Sequence, residues 1–291
     1  MSKFIKTHKF VVCALSLTLI VFFQFPKATA ELKPEQTVPG NIVDLGKALF
    51  FDNNLSRNRT QSCASCHDPE RAFTDGRANH TDGAVSLGDD GISLGDRNAP
   101  TISYAALTPA FHKDENGEYT GGLFHDGRAA TMVEQAAGPL VNPLEMALSD
   151  ATAVSERIQE NPVYVEVFKK LFTDSVFTDA NKVYAAVSQS IATFESSPEF
   201  APFDSKYDRY LRGEYIMTRQ EDLGRQFFFS DLINCNSCHL VDLSPTYKRE
   251  TFSNYLYHNI GTPKNTSVRE INGLGSQYRD HGLLKNPTVK A

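Results

Sequence analysis

The motif Cys-X-X-Cys-His constrains this chain most, because it occurs twice and uses every cysteine outside the first thirty residues. The first copy, CASCH, covers residues 63–67, and the second, CNSCH, covers residues 235–239. The fifth cysteine, Cys13, lies in an apolar N-terminal stretch. Any fold of this chain therefore has to bring two thiols and an imidazole together at two separate points.

Three kinds of site use a Cys-X-X-Cys pair. A redox dithiol needs no adjacent histidine, and a zinc site usually takes its four ligands from pairs roughly 15 to 20 residues apart. Covalent haem c uses both thiols as thioether links and the histidine as the proximal iron ligand. The duplicated histidine favours haem c, with long-range zinc binding and disulfide pairing as the alternatives. The two predicted haem sites are formed by Cys63, Cys66 and His67, and by Cys235, Cys238 and His239.

A short repeat precedes each motif. VDLGKALFFD (43–52) and EDLGRQFFFS (221–230) share the pattern D-L-G-K/R-X-X-F-F. On a helix, Gly46 and Phe50 lie on one face, and the second copy places its glycine and phenylalanine in the same way. A glycine there lets another helix approach closely, as in the crossing of the first and last helices of small haem c domains. The repeat predicts two cytochrome-c-like domains.

The N-terminus has the pattern of an export signal. Lysines precede the apolar run over residues 10–25, and a small-X-small site, ATA, lies directly before Glu31. This pattern predicts a cleaved signal over residues 1–30 and a periplasmic protein. The alternative is an uncleaved membrane anchor.

The net charge argues against a nucleic-acid partner. It is −6 for the whole chain and becomes −10 without the four lysines of residues 1–30. An acidic chain with no basic run gives no reason to expect binding to nucleic acid. A basic protein partner fits this charge better.

Between the two motifs the chain is predicted to be mostly helical. Capping residues and apolar periodicity predict helices over residues 149–159, 162–172 and 179–194. Residues 74–123 are rich in Gly, Asp and Asn and predict a long loop. The proline-bearing stretch 196–204 is interpreted as a linker. The core positions predicted in the last helix are Val183, Val187, Ile191 and Phe194.

Several ordered motifs resemble the bacterial di-haem cytochrome c peroxidase family, which includes the MauG-like proteins. They are CASCHDPERAFTDG, GDRNAPT, FHDGRAATMVEQAAGPLVNPLEMA, PFDSKYDRYLRG, CNSCH and HNIGTP. The resemblance implies a mostly α-helical fold of two cytochrome-c-like haem domains. Residues 31–200 would form the N-terminal domain with the peroxidatic haem, and residues 201–291 the C-terminal domain with the electron-transfer haem.

The resemblance also implies the residues of the peroxide site. The family motif Q-X-X-X-P-X-X-X-X-X-E-M is matched by Gln135, Pro139, Glu145 and Met146. Splitting a bound peroxide requires a proton to move from its inner to its outer oxygen, which a nearby carboxylate can perform. Glu145 is thus the expected acid and base, and Gln135 the group that holds the bound peroxide.

Two positions depart from the family pattern. His125 stands where the family often has a tryptophan between the haems, and this chain has no tryptophan. Slower or rerouted electron transfer between the haems is one consequence, and a hydrogen bond to a haem propionate is the alternative role. Asp89 stands where many members have a histidine that blocks the first iron, which predicts an open site. His80, in the same loop, is the alternative blocking residue.

The C-terminal stretch NPTVKA (286–291) resembles the family shortly before the sixth ligand of the second haem. That ligand is usually methionine, or tyrosine in MauG-like members, but no methionine follows Met217. We therefore expect that the second domain is truncated, with His258, His281 and nearby tyrosines as substitute ligands. A calcium ion between the domains, with Asn98 as a ligand, and a homodimer are further expectations from the family.

The resemblance leaves three functions. The leading one is reduction of hydrogen peroxide to water with electrons from a small c-type cytochrome or cupredoxin. The second is a MauG-like oxidase that uses peroxide to oxidise residues of a partner protein. The third is a di-haem electron carrier without catalysis, which the pair Gln135 and Glu145 argues against because a carrier has no use for a distal acid.

Overall fold

The computed structural model describes residues 38–95, 97–241 and 249–258, and the backbone of the strand Val289–Lys290. The signal predicted over residues 1–30 lies outside the described residues. Within the described part, no helix is long and apolar enough to cross a membrane. The helices are α1 (Ile42–Phe50), α2 (Cys63–Cys66), α3 (Met132–Val141), α4 (Ala151–Gln159), α5 (Pro162–Phe172), α6 (Ala180–Glu195), α7 (Lys206–Leu211) and α8 (Arg219–Phe228). The two short antiparallel strand pairs are β1 (His112–Lys113) with β2 (Tyr119–Thr120), and β3 (Tyr257–His258) with β4 (Val289–Lys290). The chain is mostly α-helical, as predicted.

Helices α1 and α6 cross at the centre of the hydrophobic core. Asn41 caps α1 through its side chain, which accepts hydrogen bonds from the N–H groups of Val43 and Asp44. A Cβ atom at Gly46 would overlap the carbonyl oxygen of Ser190, so only glycine allows the two backbones to approach this closely. The close helix crossing predicted from the repeat is therefore present at its first copy.

Helices α4, α5 and α6 coincide with the three predicted segments to within two residues at each end. Asp150 caps α4 by accepting from the N–H of Ala153, and Pro162 takes the first position of α5, where its missing N–H costs nothing. The four predicted core positions of α6 are at most 1% exposed. The fully buried large side chains of the core include Leu45, Leu49, Phe50, Leu140, Val154, Ile158, Phe168 and Phe200.

The long loop is confirmed, whereas the predicted linker is packed. Residues 74–123 contain only the 3-10 turn Ala105–Leu107 and the β1–β2 pair as regular structure among the described positions. Phe200, inside the stretch predicted as a linker, is 1% exposed, and its ring centre lies 5.0 Å from that of Phe194. This stretch therefore belongs to the same hydrophobic core.

The second copy of the repeat is placed differently. It lies on α8, where no residue is buried, and no atom of another described residue lies within 4 Å of a Cβ built at Gly224. The glycine of the second copy thus meets no helix within the described part of the chain. The predicted domain boundary between residues 200 and 201 stays a prediction.

Candidate haem sites

The first Cys-X-X-Cys-His motif forms the short helix α2 and the residue that follows it. Nδ1 of His67 lies 3.1 Å from the carbonyl oxygen of Phe73. Because a carbonyl only accepts, Nδ1 donates, and Nε2 keeps the lone pair that a metal ligand needs. Burial lowers the pKa of His67 below its usual value, which favours the neutral, ligating form.

A cavity of about 740 Å³ opens beside this motif. Its volume lies in the range of roughly 300–1,000 Å³ that is typical of cofactor sites. Among its lining residues are Cys63, Cys66, His67, His125, Gln135, Pro139, Glu145 and Met146. The residues predicted for the first site, which are up to 83 positions apart in the chain, thus line one cavity.

Helix α3 and the turn after it supply another part of the cavity wall. Pro139 lies inside α3, and its carbonyl accepts a hydrogen bond from the N–H of Met146 at 3.1 Å. The carbonyl of Glu145 accepts from the side-chain amide of Gln61 at 2.7 Å and from the N–H of Asp89 at 2.9 Å. These bonds hold the backbone of Glu145 in place from two other segments.

A second, smaller cavity of about 230 Å³ adjoins the same wall. Glu145 and Asn142 line both cavities, and the exposed Glu134 lines the smaller one. Glu145 therefore lies at the boundary between the two spaces.

His125 contributes to a polar edge of the large cavity. Its Nε2 lies 3.2 Å from the carbonyl oxygen of Asn98, and burial lowers its pKa, so it is a neutral hydrogen-bond donor there. The neighbouring Asp126 is buried and forms ion pairs with Arg97 at 3.3 Å and Arg128 at 2.9 Å. Both arginines line the cavity and give this edge a positive character.

Neither loop residue considered as a blocking group lines the cavity. Asp89 is 4% exposed, and its carboxylate accepts from the N–H of Asn58 at 2.7 Å and the hydroxyl of Thr60 at 2.6 Å. Burial alone would raise its pKa, but these hydrogen bonds and one from Ser56 outweigh burial and hold the pKa below its usual value. His80 is exposed. In this structure the loop presents neither side chain to the cavity.

The sequence analysis missed a charged pair beside Cys66. Asp75 and Arg77 form an ion pair at 2.7 Å, and Nη2 of Arg77 lies 3.0 Å from Sγ of Cys66. The signal that could have found it is the tripeptide Asp-Gly-Arg, which occurs at 75–77 and again at 126–128 and forms an Asp–Arg pair at both places.

Glu195 was missed as well. It ends α6, is 3% exposed and lines the large cavity, and its Oε2 has no hydrogen-bond partner among the described residues. Burial raises its pKa to about 8. The available signal was its position four residues after Ile191, which puts a carboxyl on an otherwise apolar helix face.

The second motif repeats the arrangement of the first. Cys235–Ser237 forms a 3-10 turn, and Nδ1 of His239 lies 3.1 Å from the carbonyl oxygen of Phe252. Nε2 of His239 is again left for a metal. The ring centre of Phe228 lies 6.3 Å from that of the imidazole and 5.8 Å from that of Phe252.

One short segment reaches both sites. Thr251, Ser253 and Tyr255 line the large cavity, whereas the carbonyl of Phe252 faces His239. The five consecutive residues 251–255 therefore contact both candidate haem sites. His281 and most of HNIGTP lie outside the described residues. His258 is described, and its Nε2 lies 3.2 Å from Nδ2 of Asn254.

The first site fits covalent haem c. Both thiols are unpaired cysteines on one wall of a cavity of suitable volume, and the adjacent histidine keeps Nε2 available. The calcium expectation gains no support from the described residues, where no group of three or more His, Cys, Asp or Glu side chains is placed to hold a metal ion. The carbonyl of Asn98 is occupied by His125. Fold and site together define a helical c-type haem protein.

Comparison with known proteins places the chain within this class. The sequence model of the di-haem cytochrome c peroxidase family matches residues 40–215. The chain is 48% identical over 258 residues to the methylamine utilization protein MauG of Paracoccus denitrificans, covering 88% of this chain and 66% of that protein. It is 31% identical to the cytochrome c551 peroxidase of Nitrosomonas europaea, covering 96% of this chain and 76% of that protein. The chain belongs to the di-haem cytochrome c peroxidase family.

A solved structure agrees with this assignment. The diheme peroxidase BthA of Burkholderia thailandensis superimposes with a TM-score of 0.77 at 30% identity, over 86% of this chain and 64% of that one. The chain therefore spans about two thirds of the length of these relatives. The family implies two haem c groups, in agreement with the two motifs.

Proposed function

We propose that this chain is part of a di-haem oxidoreductase that activates hydrogen peroxide at its first haem. One observation carries the proposal: Glu145 and Gln135 face the same cavity as Cys63, Cys66 and His67. A carboxyl and an amide in one cavity with a proximal histidine suit peroxide chemistry. An electron carrier would have no use for them.

In this proposal each residue has a separate role. Cys63 and Cys66 would form the thioether links, and Nε2 of His67 would bind the iron. A haem held there would supply the iron that activates the peroxide. Glu145 would accept the proton of the inner peroxide oxygen and return it to the outer oxygen. The outer oxygen would leave as water when the O–O bond breaks, with the two electrons for this cleavage coming from the haem. Gln135 donates a hydrogen bond that orients the peroxide, while Pro139 and Met146 shape the wall.

Cys235, Cys238 and His239 would hold the second haem, which exchanges electrons with the first. The matched bonds from His67 to Phe73 and from His239 to Phe252 support equal proximal roles. The segment 251–255 reaches both sites and supports electron transfer between them. We assign the first haem to a domain over residues 31–200 and the second to residues 201–291.

The source of the electrons separates two candidate functions. The 48% identity to a MauG protein favours an oxidase that takes electrons from residues of a partner protein. Peroxidase relatives at 31% and 33% identity favour reduction of peroxide to water by a small c-type cytochrome or cupredoxin. The sequence motifs favour the peroxidase, whereas the higher identity to a MauG protein supports the oxidase, so both stay candidates. Both fit a periplasmic protein, the location that the signal-like N-terminus supports.

The decisive experiment is E145Q in the haem-loaded protein. We expect loss of peroxide consumption with unchanged haem content, because the amide cannot accept the proton. E156Q, which makes the same change on an exposed face of α4, is the matched control and should retain activity. Retained turnover in E145Q would remove Glu145 from the mechanism.

The same preparation decides between the functions. Oxidation of reduced cytochrome c by peroxide indicates the peroxidase. Peroxide-dependent modification of a co-purifying protein, without oxidation of cytochrome c, indicates the oxidase. A wild-type protein that is inert to peroxide would leave only the electron carrier.

A further inference from the structure

The carboxyl of Glu195 has no role in the proposed mechanism. It lies at the end of α6 in the wall of the large cavity, and its Oε2 is buried without a hydrogen-bond partner among the described residues. Burying an ionised carboxylate without a partner is costly, so the neutral form is favoured in this position. Glu195 is thus protonated because of its burial, and not because a neighbouring group binds the proton.

Within residues 38–95, 97–241 and 249–258, no cationic side chain is paired with Glu195. On α6 itself, Ile191 lies one turn earlier on the same wall. From α2, the thiol of Cys63 interacts electrostatically with Glu195: burial raises the pKa of Cys63, and the charge of Glu195 raises it further. In the haem-loaded protein this sulfur is a thioether and carries no charge. From α1, Lys47 is exposed and forms an ion pair with Glu199 at 3.1 Å.

The other charged groups of the cavity belong to other pairs or walls. Arg97 and Arg128 are paired with Asp126. Glu145 lies after α3, and His67 follows α2. Glu145 is already assigned to proton transfer to the peroxide. The other charge of this cavity that would change during the reaction is that of the haem attached to Cys63.

We infer that Glu195 takes up a proton when the first haem is reduced and releases it when that haem is oxidised. The inference rests on the haem assignment of the proposed function. One electron from the donor enters the iron, and one proton from solvent forms the O–H bond on Glu195, so the net charge of the cavity is unchanged. In a cavity of low polarity, an added negative charge favours protonation of a nearby carboxyl. A pKa of about 8 lets this group change state near neutral pH.

The test is the reduction potential of the first haem as a function of pH, followed by visible absorption in the haem-loaded protein. The E145Q variant identifies which of the two haem spectra belongs to the first site. Glu145 lines the first cavity, so its replacement should change only the spectrum of the first haem. Near pH 8 the wild-type potential should fall with rising pH, by up to about 59 mV for each tenfold drop in proton concentration. E195Q should show no such slope. E199Q, the same change at an exposed position of the adjoining turn, should behave as wild type.

Two results would overturn the inference: a wild-type potential that is independent of pH, or an unchanged slope in E195Q. If E195Q fails to load haem, redox-difference infrared spectra of the unaltered protein give the answer. Oxidation should remove a carbonyl stretch of a protonated carboxyl, and its absence would equally overturn the inference. None of these readouts depends on peroxide turnover. A protein that does not turn over peroxide would contradict the proposed function, but the proton uptake by Glu195 could still be measured in it.

Discussion

Gly46 of α1 lies directly against the backbone of Ser190 of α6, with no room between them for a side chain. A Cβ at Gly46 would overlap the Ser190 carbonyl oxygen and lie 2.8 Å from Cβ of Phe194. One turn later, the Phe50 ring centre lies 5.4 Å from that of Phe194. This crossing fixes the position of α6, and α6 also contributes Ile191 and Glu195 to the wall of the candidate haem cavity.

This contact predicts that G46A is destabilising. The added methyl group has to push two backbones apart, which should lower the free energy of unfolding by about 1 to 3 kcal/mol. G224A is the matched control in the second copy of the repeat, where the described residues leave the Cβ position open. Alanine is the better helix former, so G224A should be neutral or slightly stabilising. Denaturant unfolding of the haem-loaded protein measures both, and equal losses would contradict the prediction.

Glu195 predicts a dependence of stability on pH. Its pKa rises from 4.5 to about 8 on folding because it is buried. Its contribution is therefore fully present below about pH 4.5 and is lost as pH rises towards 8. E195Q keeps the neutral shape without this loss, so its advantage over wild type should grow between pH 5 and pH 8. Unfolding midpoints at both pH values test this, and a constant difference would argue against a buried, protonated Glu195.

Asp89 predicts a loss of stability in D89N. Its carboxylate accepts hydrogen bonds from Asn58 and Thr60, and an amide would turn a donor towards one of these donors. A mispaired buried group costs on the order of 1 to 3 kcal/mol. D82N, at an exposed position of the same loop, serves as the control and should lie within about 0.5 kcal/mol of wild type. Thermal unfolding that ranks the two variants equally would mean that these bonds contribute little.

The open cavity predicts that the first haem is high-spin in the fully ferric protein. Neither His80 nor Asp89 lines the first cavity, so we expect His67 alone to supply a protein ligand to the first iron. Low-temperature electron paramagnetic resonance of the fully ferric protein measures the spin states. H80A should leave the spectrum unchanged. Two low-spin signals that H80A converts to a mixed pattern would show that the loop rearranges to block the iron.

Sequence alone was sufficient for the short motifs and the helices, although the local pair of Asp75 and Arg77 was not predicted from it. The proposed haem attachment residues follow from five consecutive positions, and caps such as Asp150 and the apolar spacing of α6 predicted the helices. The close approach at Gly46 was also predictable, because the repeat carries a glycine and a phenylalanine at helical spacing. Such features depend on backbone geometry and on side chains within one or two turns.

Only the tertiary structure decided which distant side chains share the haem cavity. In the sequence, nothing distinguishes Glu195 from other polar residues of a helix. Only the packing of α6 places it in the same cavity wall as Cys63. Asp89 aligns with a blocking position, yet its carboxylate is bonded to residues 58–60. The alternation of residues 251–255 between two sites is equally invisible in the sequence. A cavity wall is formed by elements that are far apart in the chain, and their approach depends on the packing of the whole core, which no local pattern encodes.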